Sequence, residues 1–274
     1  MPASVARPGE PQRAQQIGVS HAEVRHGLAV RRGHVPGRLL IDGVWAHQAA
    51  IDAGAHFETV FLVPELLHTT EAALLAEQCT DYADQCYRLS SKIIQRFSDR
   101  DRSDGLASII EVPRWRPDGL RLGPDALIVV ADGLQSPGNI GTVIRTMDAC
   151  RGDLLIMTNV RARPDGDQVF RGSRGLSLTL PQLIIQTPEQ VIGWLGDRAV
   201  SIMVADANGG VPYPRSDLRG PTAIVLGNER YGASDSWRDF PRVQVPMLGR
   251  ADSLNVAVSA GVLLYHARSQ RERW

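Results

Sequence analysis

The stretch "SPGNIGTVIRT" spans residues 136–146 and stands just behind an apolar run, "ALIVVAD", at 126–132. A strand, a glycine-bearing turn and a helix start commonly open a ligand site in α/β sheets. The glycines fall at Gly138 and Gly141 only, and Arg145 stands early in the helix. Asn139 is well placed as the helix N-cap. Helical side chains lean toward the N-terminus, so Arg145 can reach back toward the ground in front of Asn139. Taken alone, the stretch also reads as a capped helix with a surface arginine. The rest of the chain decides between the two.

Downstream, "DLLIMT" (153–158), "LIIQ" (183–186), "VSIMVAD" (200–206), "TAIVLG" (222–227) and "RVQVPM" (242–247) read as further strands. Helices are expected at 140–150, at 188–196, after Ala233 and from Ser253, where Ser253 or Asp252 would be the cap. Six apolar strands with intervening helices predict a mostly parallel sheet covered on both faces. Upstream, strands at 38–43, 57–63, 85–90 and 106–112 alternate with helices at 44–55, 70–83 and 90–99. This predicts a smaller α/β domain over 17–112, a Pro- and Arg-rich linker over 113–125 and a second domain over 126–274. The Pro-, Gln- and Ala-rich residues 1–16 read as a disordered tail.

The 274 residues carry 43% hydrophobic residues and no apolar run long enough for a membrane span, so no membrane partner is expected. The first residues lack the apolar centre of a secretory signal. Cys79, Cys86 and Cys150 show no C-x-x-C spacing, which favours a cytoplasmic chain with reduced thiols over a disulfide framework or a zinc site. Net charge is zero, which argues against wholesale electrostatic binding to nucleic acid. Residues 1–40, however, hold Arg7, Arg13, Arg25, Arg31, Arg32 and Arg38 against Glu10 and Glu23, a basic leading arm able to meet phosphates.

Two more strand ends carry polar chemistry. In "IVLGNERYGAS" (224–234) a buried strand runs into Gly227, Asn228 and Glu229. A carboxylate there needs water or partners. In "VPMLGRADSLNVAVSAG" (245–261) a strand end leads through a loop to Ser253, Leu254 and Asn255. The dinucleotide fingerprint, the phosphate loop, H-E-x-x-H and the G-x-S-x-G elbow are all missing. His47, His56, His68 and His266 are scattered and read as ordinary polar residues.

Together "SPGNIGTVIRT", "VLGNERYGAS" and "VPMLGRADSLNVAVSAG" resemble the three ordered motifs of the SpoU/TrmH family in the SPOUT superfamily, N-x-G-x-x-x-R, G-x-E-x-x-G and S-L-N. "RGSRGLSLTLP" (171–181) resembles the family's connecting Arg-x-Ser-x-Gly segment. The likeness covers roughly residues 126–268, and 17–112 is similar to the family's ribosomal-protein-like substrate-binding domain. The two-domain arrangement is similar to enzymes of antibiotic producers that methylate 23S rRNA. This chain departs from the pattern at Ser136, where Asp is common, and at Arg230 and Tyr231, which are bulkier than usual after the Glu.

The resemblance implies a trefoil-knotted methyltransferase domain, a homodimer, S-adenosyl-L-methionine as methyl donor without a metal, and a ribose 2′-hydroxyl of 23S ribosomal RNA as acceptor. It implies that Asn139, Arg145, Glu229, Ser253 and Asn255 form the catalytic site. It places the cofactor against Leu226, Gly227, Val245, Pro246, Met247 and Leu254. The family's mechanism makes the arginine at Arg145 a proton acceptor. A guanidinium holds its proton too firmly to act as a base, which favours a phosphate clamp instead. Housekeeping and self-resistance roles both fit. Three other readings compete: an RNA-binding member without catalysis, a methyltransferase of small molecules and a nucleotide-binding oxidoreductase. The intact motif residues oppose the first, the RNA-domain likeness and basic arm the second, and the missing glycine fingerprint the third.

Overall fold

The computed structural model describes residues 14–98, 101–160 and 166–272. The chain divides into two compact units between Pro113 and Arg114. Most of the segment read as a tail, including Arg7 and Arg13, lies outside the described residues.

The first unit contains β1 (Gln15–Gln16), α1 (Ala22–Arg31), β2 (Arg38–Asp42), α2 (Val44–Asp52) and β3 (Phe57–Leu62). It continues with α3 (Thr70–Tyr82), β4 (Ala83–Arg88), α4 (Ser91–Ile94) and β5 (Leu106–Glu111). Its sheet runs β1-β4-β3-β5-β2, with β5 antiparallel to both its neighbours and the other pairs parallel. Two expectations are corrected, and one helix is added. Gln15 and Gln16, read as tail, pair with Tyr87 and Arg88 of β4. The helix expected over 90–99 is one turn of α4 followed by a 3₁₀ turn, Gln95–Phe97. Helix α1 was not foreseen, because it buries only Val24, Gly27 and Val30 and so shows little apolar periodicity.

From residue 14 onward the basic arm is part of a folded unit. Arg31 donates to the carbonyls of Arg96 and Ser98, and Arg38 pairs with Glu58 and Glu111. His47 on α2 is a core residue, fully buried, with Nδ1 2.8 Å from the Gly43 carbonyl and Nε2 2.8 Å from Ser108 Oγ. Burial penalises its charged form and lowers its pKa to about 4.

The second unit holds β6 (Leu127–Asp132), α5 (Pro137–Ala149), β7 (Leu154–Thr158), α6 (Asp167–Gly172) and β8 (Gln182–Ile184). Then come α7 (Pro188–Gly196), β9 (Ser201–Ala205), β10 (Val211–Pro212), β11 (Thr222–Leu226), β12 (Arg242–Gln244) and α8 (Val256–Glu272). The order is β10-β12-β9-β11-β6-β7-β8, and every pairing is parallel. The short β10 makes a seventh strand beyond the six expected.

Alternation along β6 sorts the core. Leu127, Val129 and Ala131 pack on the side of α5 and α8, while Ile128 and Val130 pack on the side of α7 and Trp237. Such double coverage is why the strands read as continuous apolar runs. The segment read as a linker is packed at three points rather than free: Trp115, Leu120 and Leu122 lie partly buried against the α7 side. The chain winds from β6 out to β8 and then returns to the other side of β6 with β9 and β11. A crevice opens at such a reversal, beyond the carboxyl ends of the strands.

Candidate active site

Helix α5 begins at this reversal, and its cap differs from the expectation. Ser136, not Asn139, is the N-cap: its Oγ accepts from the Asn139 N–H at 3.3 Å, and Pro137 occupies the first turn. Proline suits that position because its missing N–H would have had no helical partner. Asn139 therefore sits one turn inside the helix with its amide unused by capping, free to make tertiary bonds.

Those bonds run to Glu229. Its Oε1 accepts from Asn139 Nδ2 at 2.9 Å and from the Ser136 N–H at 3.2 Å, and its Oε2 accepts from the Gln135 N–H at 3.1 Å. The carboxylate thus holds the entry to α5, where the helix dipole favours negative charge. Burial alone would raise its pKa, but the bonds from Asn139 and the backbone N–H groups outweigh that and hold it below the usual range. Glu229 is therefore ionised at neutral pH, with both oxygens engaged. That suits it to orient neighbours, and less to remove a proton.

The chain of bonds continues. Asn139 Oδ1 accepts from Asn255 Nδ2 at 3.1 Å, and Asn255 Oδ1 accepts from the Ala257 N–H at 2.9 Å. Asn255 is thus the residue that caps α8, in place of the expected Ser253 or Asp252, and the helix starts at Val256. One line of hydrogen bonds ties the starts of α5 and α8 through Glu229, Asn139 and Asn255.

The line borders a cavity of about 690 Å³, within the usual range for small-molecule sites. Of the expected cofactor contacts, Leu226, Gly227, Val245, Met247 and Leu254 line it, and Pro246 does not. Ser253, Asn255 and Glu229 share the wall. Asn139 lies outside the lining and reaches the site through its bonds to Glu229 and Asn255. Arg145 stands apart, exposed on α5, and its guanidinium makes no hydrogen bond or ion pair with the described residues.

Gly227 fixes the wall. A Cβ there would lie 2.0 Å from the Ala233 nitrogen, so no side chain fits without moving the backbone. Gly141 plays a similar part on α5, where a Cβ would come within 2.8 Å of the Gly172 backbone at the end of α6. In the "RGSRG" segment, Ser173 is buried, donating to the Phe170 carbonyl and accepting from the Ser177 N–H.

Two supporting residues escaped sequence reasoning. Asp132, at the end of β6, is 2% exposed and accepts from Asn159 Nδ2 at 2.6 Å, the Ser234 N–H at 2.7 Å and Trp237 Nε1 at 3.0 Å. It anchors the segment after Glu229, where a 3₁₀ turn (Asp235–Trp237) replaces the helix expected after Ala233. The signal was an acidic residue closing an apolar strand. Asn228, noted in the sequence only as part of its strand end, is the other. Its Nδ2 donates to the Gly133 carbonyl at 2.8 Å, and its Oδ1 accepts from the N–H groups of Arg230 and Tyr231.

Comparison with known proteins places the chain among RNA-modifying enzymes. The model of the SpoU rRNA methylase family matches residues 126–265. The 23S rRNA (uridine(2479)-2′-O)-methyltransferase of Streptomyces viridochromogenes is 33% identical over 61% of this chain and 60% of its own length. The 23S rRNA (guanosine(2553)-2′-O)-methyltransferase of Bacillus subtilis is 27% identical over 76% of this chain and 81% of its own. The crystal structure of the SpoU methyltransferase AviRb from S. viridochromogenes, in complex with the cofactor AdoMet, superposes with a TM-score of 0.82 at 27% identity, covering 92% of this chain and 98% of that one.

Proposed function

The chain belongs to the SpoU rRNA methylase family, and we propose that it transfers a methyl group from S-adenosyl-L-methionine to a ribose 2′-hydroxyl of 23S ribosomal RNA, in the cytoplasm. The observation that carries this reading is the Glu229–Asn139–Asn255 line of hydrogen bonds along the wall of a ligand-sized cavity. The two curated relatives are 23S rRNA 2′-O-methyltransferases, and the neighbouring crystal structure holds AdoMet.

The cavity fits the cofactor chemically. Leu226, Val245, Met247 and Leu254 offer apolar surface for an adenine ring, and the bare backbone at Gly227 offers close approach. Pro246 would shape the loop between Val245 and Met247. When bound, S-adenosylmethionine supplies an electrophilic methyl group on sulfonium. The chain's own task is to present the ribose hydroxyl in line and to exclude misalignment; the sulfur would leave as the neutral thioether S-adenosylhomocysteine and the hydroxyl proton would pass to water. Glu229 fixes the Asn139 amide, Asn139 fixes that of Asn255, and Ser253 stands on the same wall to orient the hydroxyl. Arg145 clamps a substrate phosphate, which its exposed, unengaged guanidinium suits better than proton removal.

The same reading includes a trefoil knot formed by the chain of the second and third motifs, RNA binding by the 17–112 unit, and a homodimer. For the dimer, α8 buries Ala257, Ala260, Leu263, Leu264 and Ala267 in its own unit, while Val258 and Tyr265 remain 51% and 43% exposed along another face. An apolar stripe of that kind suits a second copy.

The test is transfer of tritiated methyl from S-adenosylmethionine to a 23S rRNA transcript, followed by alkaline hydrolysis. Label should reside at one linkage that resists cleavage. Label on a base, or none on rRNA, would refute the reading.

A further inference from the structure

Glu229 is followed by two large side chains, Arg230 and Tyr231, on a turn that is held more firmly than its length requires. Asn228 and Gly232 exchange N–H···O bonds, both 2.9 Å. Asn228 Oδ1 accepts from the N–H groups of Arg230 at 2.9 Å and Tyr231 at 3.1 Å, and its Nδ2 fastens the turn to Gly133. Gly232 takes φ +75°, which L side chains rarely adopt, and closes the loop. On this rigid turn Tyr231 is 75% exposed, yet it lines the cavity. The Arg230 guanidinium carbon lies 5.4 Å from the ring centroid, within cation–π range.

A turn held by so many hydrogen bonds presents its aromatic side chain with little loop entropy left to lose on binding a partner. The chemistry of the site says which partner. In a nucleoside the base is attached to C1′, one bond from the carbon that bears the 2′-hydroxyl. If the hydroxyl is presented beside Glu229, its base leaves the ribose toward the same rim, where Tyr231 stands two residues further along.

Resting on the function proposed above, we infer that Tyr231 is a stacking platform for the base of the methylated nucleotide, with Arg230 polarising the ring and reaching an adjacent phosphate. Such stacking requires the target nucleotide to be unpaired or turned out of its helix, which costs least in a loop or bulge of the RNA. Every base has a π-face, so Tyr231 contributes affinity and positioning, not base identity.

The experiment uses the full chain and a 23S rRNA transcript, on which the methylated nucleotide is first mapped. A synthetic hairpin bearing that nucleotide is then compared with the same hairpin carrying an abasic ribose that keeps its 2′-hydroxyl. Tyr231→Ala should raise KM for the intact hairpin roughly tenfold or more. Tyr231→Phe and Tyr231→Trp should restore it, and calorimetry should find the affinity for S-adenosylhomocysteine unchanged. On the abasic hairpin, wild type and Tyr231→Ala should become equal within about twofold. A merely structural role would persist on the abasic RNA and disturb cofactor affinity, and either result overturns the assignment. Wild-type KM in Tyr231→Ala overturns it too. Failure of the wild type to methylate the transcript instead refutes the underlying function, and is thereby distinguished.

Discussion

Oε1 of Glu229 lies 2.9 Å from Nδ2 of Asn139, across 90 positions of sequence, and the amide so held turns its oxygen to Asn255. Two strand-end loops are thereby coupled to one carboxylate that also accepts from two backbone N–H groups. Replacing Glu229 by Gln keeps the size but sets an NH₂ against donors. An unsatisfied contact of this kind costs ~1–3 kcal/mol. Glu229→Gln should therefore lower kcat roughly 10- to 100-fold, with a smaller change in KM for RNA. Steady-state kinetics with labelled methyl donor measure this, and an unchanged kcat would remove Glu229 from the site.

Gly227 makes a sharper case. With a Cβ only 2.0 Å from the Ala233 nitrogen, Gly227→Ala must displace the loop that forms the cavity wall. Overpacking typically costs 1–3 kcal/mol, and here the neighbour is backbone and cannot rotate away, so a loss of about 3 kcal/mol is expected. Thermal melts should show a lower Tm that S-adenosylhomocysteine no longer raises. A variant stabilised by that ligand as strongly as the wild type would show that the loop gives way cheaply.

For Arg145 the expected signature is electrostatic. Arg145→Ala should weaken RNA binding and reduce the slope of log K against log salt by about one. Arg145→Lys, which keeps the charge, should retain most of the affinity and the shape of the pH–rate profile. If the lysine variant instead loses its alkaline limb, the side chain takes part in proton removal.

His47 predicts a pH dependence in the first unit. Its pKa is lowered from 6.5 to about 4 on folding, so between those values the unfolded chain binds the extra proton. Its contribution is complete above pH 6.5 and is lost as pH falls toward 4. The full loss amounts to about 3 kcal/mol. Hydrogen exchange of the first unit at pH 7 and pH 4.5 should show this, and His47→Gln should flatten the difference. Equal pH dependence in the two proteins would exclude His47 as its source.

A fifth expectation concerns assembly. Val258→Asp places a charge on the exposed stripe of α8 and leaves the buried face untouched. The wild type should sediment at twice the chain mass at micromolar concentration and the variant at the chain mass, with transfer activity lost. A wild type that is an active monomer would dismiss the dimer.

The sequence by itself determined the longer strands of both sheets, because strands covered on both faces read as apolar runs; β1 and β10, two residues each, carry no such run and only the fold reveals them. It also marked the three loops that the Glu229, Asn139 and Asn255 hydrogen bonds join, since polar residues directly behind such runs have few other uses. The tertiary structure decided how those residues are employed. Local spacing made Asn139 a cap, but Pro137 fills the first turn and Ser136 takes that duty, leaving the amide for Glu229. Asp132 reads locally as a strand end. Its burial is tolerable only because folding brings the Ser234 N–H and Trp237 Nε1, 102 and 105 positions away, within hydrogen-bond reach. Periodicity reports what each segment must hide from water, whereas a buried charge is satisfied by donors that only the finished fold brings to it.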